Sequence, residues 1–382
     1  MRHVVCLTLI VAAILVASRR PAWQHVFQWL PVPLWCYAIP IAMVALGWLP
    51  SGHPAYRSLT DHLLPFALGL LLLGVDLPAV IRTGSRALIA MVVGAAGIMM
   101  GAPLGVWLLQ SHVPSDAWKG AGALAGTWTG GTMNLLALRS ILETPDTMFA
   151  PLIVVDAVIA YSWMALLVAA SGFRAPINRW LRASEVAGMP AQAQAVNSSS
   201  QHGWSARIAC LLIALALLLA ARRLAPHLPS ILFISSSAGW AVLLVTTMAL
   251  SLSLIPPIRR LGEQSSRLGY ACLYLVLAAT GAQASFEALW SAPMWIVVGA
   301  VTALVHGITL LLAGRACRIP LGILATASQA NIGGVVSAPL VGAVYDQSLA
   351  PVGLLLAMAG NALGTYLGLL SALICRHMVG HL

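Results

Sequence analysis

Two polar stretches, each broken by a glycine pair, hold the side chains best suited to chemistry in this 382-residue chain. The first reads Gly126-Thr-Trp-Thr-Gly-Gly-Thr-Met-Asn134 and the second Gln329-Ala-Asn-Ile-Gly-Gly-Val-Val-Ser337. The pairs Gly130-Gly131 and Gly333-Gly334 interrupt segments that are otherwise apolar. A helix broken there leaves backbone N–H and carbonyl groups free, and polar backbone at membrane depth survives only inside protein or against a water-filled cavity. Thr127, Thr129, Thr132, Asn134, Ser328, Gln329, Asn331 and Ser337 add neutral donors and acceptors. Half-helix N-termini favour anions, whereas C-termini and unwound carbonyls favour cations. Such a set suits a small zwitterion or a carboxylate. The plainer reading is tight packing around glycine.

Asp156 is the sharpest ionisable candidate, since it lies inside the apolar segment 148–171. A charge near the bilayer centre costs roughly 2.5–3.5 kcal/mol on insertion scales, so this carboxyl must be paired, protonated or bound to a cation. Asn361 and Thr365 share one helix face by their i, i+4 spacing and offer oxygen ligands to a hard cation such as Na+. The competing reading for both is a polar helix–helix contact beside the small Gly360, Gly364 and Gly368. Asp76, Gln283 and His306 are further polar groups in apolar surroundings. Asp76 reads equally as an interface ion pair, and a lone His more often as a satisfied core residue than a proton relay. Arg139 is expected to pair with Glu143 at i+4 rather than to meet a substrate carboxylate.

The elements that must position these groups are membrane helices. The chain is 60% hydrophobic and 8% charged, against roughly 25% charged in a soluble protein. Mean hydropathy is +0.91. The net charge of +10 comes from basic residues in short loops between apolar runs, which is a topology signal and excludes nucleic-acid binding. Six scattered cysteines form no C-x-x-C or Cys/His cluster, so they read as small buried hydrophobes. Twelve apolar segments follow one another: 4–18, 33–49, 63–81, 87–109, 119–142, 148–171, 207–221, 236–255, 268–284, 293–313, 320–343 and 350–375.

A shift of 203 residues (from Gly130 to Gly333) lays the first six segments on the last six. The expected fold class is therefore an all-α polytopic membrane protein built from two repeated halves. The N-terminal repeat is 1–171, a cytoplasmic linker 172–205, and the C-terminal repeat 206–382. The short first segment matches the short seventh, which favours a retained helix over a cleaved signal peptide. Each glycine-broken segment either crosses as a broken helix or dips in and returns as a re-entrant hairpin. Hairpins leave five spans per half and invert the repeats. Crossing helices leave six and keep the repeats parallel. Basic residues of the first half lean weakly to the hairpin model, with Arg19, Arg20, Arg82 and Arg86 on the linker side against Arg2, Arg57 and Lys119.

The chain resembles the YjcL-like family of bacterial and plant membrane proteins of unknown function. The resemblance rests on Gly126–Asn134, Val155-Asp-Ala-Val158, Ala278-Ala-Thr-Gly-Ala-Gln-Ala284, Gln329-Ala-Asn-Ile-Gly-Gly334 and Gly360-Asn-Ala-Leu-Gly-Thr-Tyr366. That family in turn is similar to the superfamily of cation–proton antiporters, bile-acid symporters and sodium–glutamate symporters. The likeness implies inverted halves, a discontinuous element in each, alternating access, and an ion-binding carboxylate at Asp156. Trp128 stands where such loops often carry a smaller polar residue.

The expected function is an Na+- or H+-coupled secondary transporter of a small amino-acid-like or carboxylate solute. The alternative is a cation/proton antiporter without organic substrate. The substrate would meet Thr127, Thr129, Gly130, Gly131, Thr132, Asn134, Ser328, Gln329, Asn331, Gly333, Gly334 and Ser337. Ion coupling would fall to Asp156, Asn361 and Thr365, with Na+ the one metal ion expected and no cofactor. The motif G-x-x-x-x-G-K-[ST] is absent, which excludes direct ATP drive within the chain. Asp76 and Asp156 lack the flanking G-x-G-D of aspartyl intramembrane proteases, so an enzyme is not expected. The expected partners are the solute and the lipid bilayer, with a homodimer as candidate assembly and a bacterial inner membrane as location.

Overall fold

A computed structural model describes residues 2–29, 32–81, 83–183, 204–231, 234, 236–283 and 292–380. Most of the expected linker, Arg82 and the end of the Ala278–Ala284 motif lie outside them. In chain order the helices are α1 (Arg2–Ser18), α2 (Gln24–Trp29), α3 (Val32–Ala45), α4 (Pro54–Leu72), α5 (Leu77–Ile81), α6 (Ser85–Leu108), α7 (Ala117–Gly130), α8 (Thr132–Leu142) and α9 (Asp146–Ala170). They continue as α10 (Arg174–Leu181), α11 (Trp204–Leu224), α12 (Ser237–Ser253), α13 (Pro256–Arg259), α14 (Gly262–Gly281), α15 (Ala292–Cys317), α16 (Leu321–Ile332), α17 (Gly334–Tyr345) and α18 (Leu349–Val379). The twelve apolar segments each become helix, and both glycine-bearing ones become two. Among the described residues five helical stretches are long and apolar enough to cross a membrane: Ser85–Leu108, Asp146–Leu181, Ser205–His227, Pro293–Cys317 and Leu349–Val379. Six shorter apolar helices accompany them. The protein is an all-α polytopic membrane protein.

The chain divides into two compact units, each drawing on both halves of the sequence. One consists of Met1–Gly74, Arg139–Ala157 and His202–Trp295. Here α4 packs against α11, α12 and α14, and α14 also meets α1 and α3. Helix starts are fixed by local chemistry. Pro54 at the start of α4 needs no intrahelical donor, and His53 Nδ1 accepts the Ala55 N–H at 3.1 Å. Ser236 Oγ accepts the Gly239 N–H at 3.1 Å to cap α12. Small residues let the helices approach: a Cβ added at Gly269 would sit 2.7 Å from Leu71. Arg139 lies in this unit and pairs with Asp146. It also donates to Thr280 Oγ1 at 3.0 Å and stacks over the Phe149 ring at 4.9 Å. Glu143, the partner that the i+4 spacing suggests, follows α8 with φ 51°.

The other unit consists of Val75–Leu138, Val158–Gln201 and Ile296–Leu382. Its α6, α7, α16, α17 and α18 pack on one another over a core that includes Leu324, Ala327, Val341, Val352 and Leu356. Lipid and protein interiors are equally apolar, so such helices associate through close backbone approach rather than hydrophobic drive. That close approach is visible in the small residues. Gly101 of α6 faces the Thr302 backbone and Gly105 faces Val298, so that added Cβ atoms would lie 2.8 and 3.1 Å from α15. Helix α10, within the segment expected as linker, caps this unit: Asn178 Oδ1 accepts the Leu321 N–H at the start of α16 at 2.8 Å.

Candidate functional site

Both glycine breaks belong to this second unit. The backbone reverses at the later glycine of each pair, where Gly131 has φ 78° and Gly334 φ 73°. An L side chain at such a φ costs roughly 1–2 kcal/mol, which accounts for glycine at these two positions. The arms on either side run alongside each other. Leu138 of α8 lies against Gly126 of α7, although twelve residues of straight helix would part them by about 18 Å. Gln329 Nε2 of α16 donates to Ser337 Oγ of α17 at 2.8 Å, across the second break. Helix α7 in turn packs against α16 and α17, so the two breaks share one region of the unit.

The first break is seated on α18. Gly126 and Gly130 of α7 face Gly360, Gly364 and Gly368 of α18, one helix turn apart, and a Cβ at Gly364 would lie 2.8 Å from the Gly126 carbonyl. Asn134 locks this seat. Its amide donates to the Gly130 carbonyl at 2.6 Å and the Asn361 carbonyl at 3.2 Å, while its oxygen accepts the Thr365 hydroxyl at 2.5 Å. Thr129 donates to Ala125 O at 2.8 Å within its own helix. Thr132 and Gly131 are half-buried, and the half-buried Asn361 places its side-chain oxygen 3.3 Å from where a Gly131 Cβ would stand.

The second break meets α6, α9 and α15. Asn331 donates through Nδ2 to the Met91 carbonyl at 3.1 Å. Ser328 is the centre of a buried chain. His306 Nδ1 lies 2.8 Å from the Gly94 carbonyl and its Nε2 2.8 Å from Ser328 Oγ, which also accepts the Trp163 indole N–H at 2.8 Å. A carbonyl can only accept, so Nδ1 carries the ring hydrogen and Nε2 accepts from the serine. His306, fully buried, is thereby a satisfied core group. Neither Trp163 nor Gly94 was singled out from the sequence; nothing in a tryptophan's type or spacing marks it as a serine's partner.

Three side-chain oxygens at the breaks have no hydrogen-bond partner among the described residues: Thr127 Oγ1, Gln329 Oε1 and Asn331 Oδ1. All three residues are at most 1% exposed.

Asp156 is half-buried on the part of α9 that belongs to the first unit. Asp76 Oδ1 accepts the Ala79 N–H at 3.0 Å and so caps the short α5. Gln283, in the first unit, donates to Ala279 O at 3.0 Å and to Thr60 Oγ1 at 3.4 Å. Among the described residues no group of three His, Cys, Asp or Glu gathers as metal ligands do.

An all-helical membrane protein with paired glycine breaks is the class these features define. The chain belongs to the family described as protein of unknown function DUF819, whose model matches residues 6–378. It is also similar to the uncharacterized membrane protein YjcL of Bacillus subtilis strain 168, with 25% identity over 150 residues, 35% of this chain and 38% of that one. The matched stretch thus spans well under two thirds of YjcL. The resemblance to the YjcL-like family of unknown function is borne out.

Proposed function

We propose that this protein is a secondary active transporter, not an enzyme. It would carry a small amino-acid-like or carboxylate solute across a bacterial inner membrane, driven by Na+ or H+, by alternating access. The observation that carries the reading is the pair of matching breaks in one unit. Gly131 and Gly334 take the same left-handed φ 203 residues apart, and each turns a short helical arm back on its partner. In a bilayer such arms are re-entrant hairpins, which supports inverted halves. Discontinuous helices at corresponding places in two halves mark solute and ion sites in carriers of this kind. The neutral hydroxyls and amides around the breaks match a zwitterion or carboxylate in size and polarity. The test is uptake by proteoliposomes of a panel of labelled amino acids and carboxylates, with an Na+ gradient, a pH gradient or neither. Gradient-dependent accumulation of at least one solute is expected. Absence of accumulation across the panel, with solute-independent Na+/H+ exchange in its place, would overturn the organic substrate.

A further inference from the structure

We propose that Thr127 Oγ1, Gln329 Oε1 and Asn331 Oδ1 are ligands of a single Na+ ion held between the two glycine breaks. The inference deepens the carrier reading and rests on its ion coupling.

Four observations carry it. The first is that these three oxygens, all near the two breaks, are orphans among the described residues, as the hydroxyls of Tyr37, Tyr56 and Thr144 elsewhere are. Thr129, Thr302 and Thr326 each donate to the carbonyl four residues back at 2.7–2.8 Å, as threonines in apolar helices do. Thr127, on the same α7 and equally buried, does not. A buried polar atom without a partner is costly and demands an explanation.

The second is that the two amides are held with their nitrogens engaged. Asn331 Nδ2 faces the Met91 carbonyl, which can only accept, so Oδ1 must be the free end. Gln329 Nε2 faces Ser337 Oγ, leaving Oε1 over. What remains is a set of acceptors, which calls for a donor or a cation.

The third is position. Thr127 stands in the last turn of α7, and Gln329 and Asn331 in the last turn of α16, and these two helices pack together. Both present C-terminal ends, where the helix dipole favours positive charge. The fourth is charge. All three ligands are neutral, which suits a hard monovalent ion, whereas divalent Ca2+ is held chiefly by carboxylates.

The experiment titrates NaCl against the thermal unfolding of the purified full-length protein in detergent, at constant ionic strength with KCl or choline chloride as balance. A ligand that binds only the folded state raises the unfolding temperature by mass action. Na+ is expected to raise it where K+ and choline do not. Thr127→Val and Gln329→Leu should raise the Na+ midpoint about tenfold or more, as loss of a metal-site group commonly does. Thr127→Ser should restore it, and Thr326→Val, whose hydroxyl is satisfied within its helix, should leave it unchanged. Gln329→Glu, which keeps the shape and adds a charge, should lower the midpoint and keeps the idea testable if the apolar variants do not fold. A wild-type protein blind to Na+, or variants that retain the wild-type midpoint, would overturn the site. Proton-driven uptake by an Na+-blind protein would sink this site and leave the carrier standing. An Na+ response lost in the variants, with no solute transported, would keep the site and sink the carrier.

Discussion

Thr365 of α18 donates its hydroxyl hydrogen to the side-chain oxygen of Asn134 at 2.5 Å, 231 residues away in sequence. The bond ties the first turn of α8 to a helix from the other half of the chain. It also orients the asparagine, whose amide nitrogen is thereby turned to the Gly130 and Asn361 carbonyls. Two residues proposed from sequence for different tasks, solute and ion, are thus direct partners.

Thr365→Val removes that donor at constant shape. The Asn134 oxygen, 1% exposed, is left buried without its hydrogen bond. A loss of about 1–3 kcal/mol is expected, read as a lower unfolding temperature in detergent. Thr365→Ser should recover most of it. Wild-type stability in the valine variant would show that the bond holds nothing together.

Close approach of α7 and α18 makes a second expectation. A Cβ at Gly364 would meet Asn134 at 2.7 Å and the Gly126 carbonyl at 2.8 Å, and neither backbone nor a three-bonded amide can yield cheaply. Gly364→Ala should cost about 1–3 kcal/mol by overpacking. By contrast Gly172→Ala, in open space on the surface, should be neutral. Equal stability of the two variants would contradict the packing.

Much of this was legible in the sequence because apolar run length and glycine pairs are local signals. All twelve segments became helices, and both breaks fell at the marked pairs. The helical cap at Asn178 was not legible, since a short polar helix after a long apolar one looks like linker. Nor was the fate of individual polar groups. Type and spacing nominated Asn134 and Gln329 alike, yet one has all its groups engaged and the other has a bare oxygen. That difference depends on which distant backbone carbonyl lies opposite, and no pattern along one helix encodes it. The type of His306 alone fits a proton relay and a core residue alike, and the partners that decide it, Gly94 and Ser328, lie 212 and 22 residues away.

The topology of the second break can be read with thiol reagents. Cys317, exposed at the end of α15, and Gln347, exposed before α18, flank the arms α16 and α17. Re-entrant arms put both flanks on one side of the membrane; a crossing broken helix puts them on opposite sides. In chains keeping only Cys317, or carrying only Gln347→Cys, a membrane-impermeant maleimide should label both from the same face of the cell. Labelling from opposite faces would replace the ten-span inverted scheme with twelve parallel spans.

Asp156 supplies the last expectation. It stands ten residues beyond Asp146 in α9, about 15 Å along the helix, and is half-buried there. An ionised carboxylate that deep in a spanning helix is costly, so its charge must be balanced by a cation, a proton or a paired group. Balancing by an ion that comes and goes would make the charge useful for coupling. Asp156→Asn keeps the shape and most hydrogen bonding while removing the charge, so the protein should still insert and fold. In proteoliposomes we expect gradient-driven accumulation to fall at least tenfold, which corresponds to about 1.4 kcal/mol. Exchange of solute at equal ion concentrations should partly survive, since exchange needs no net ion movement. If the asparagine variant accumulated solute as the wild type does, Asp156 would be structural. Coupling would then rest on the oxygens of Thr127, Gln329 and Asn331, whose Na+ titration is an independent measurement.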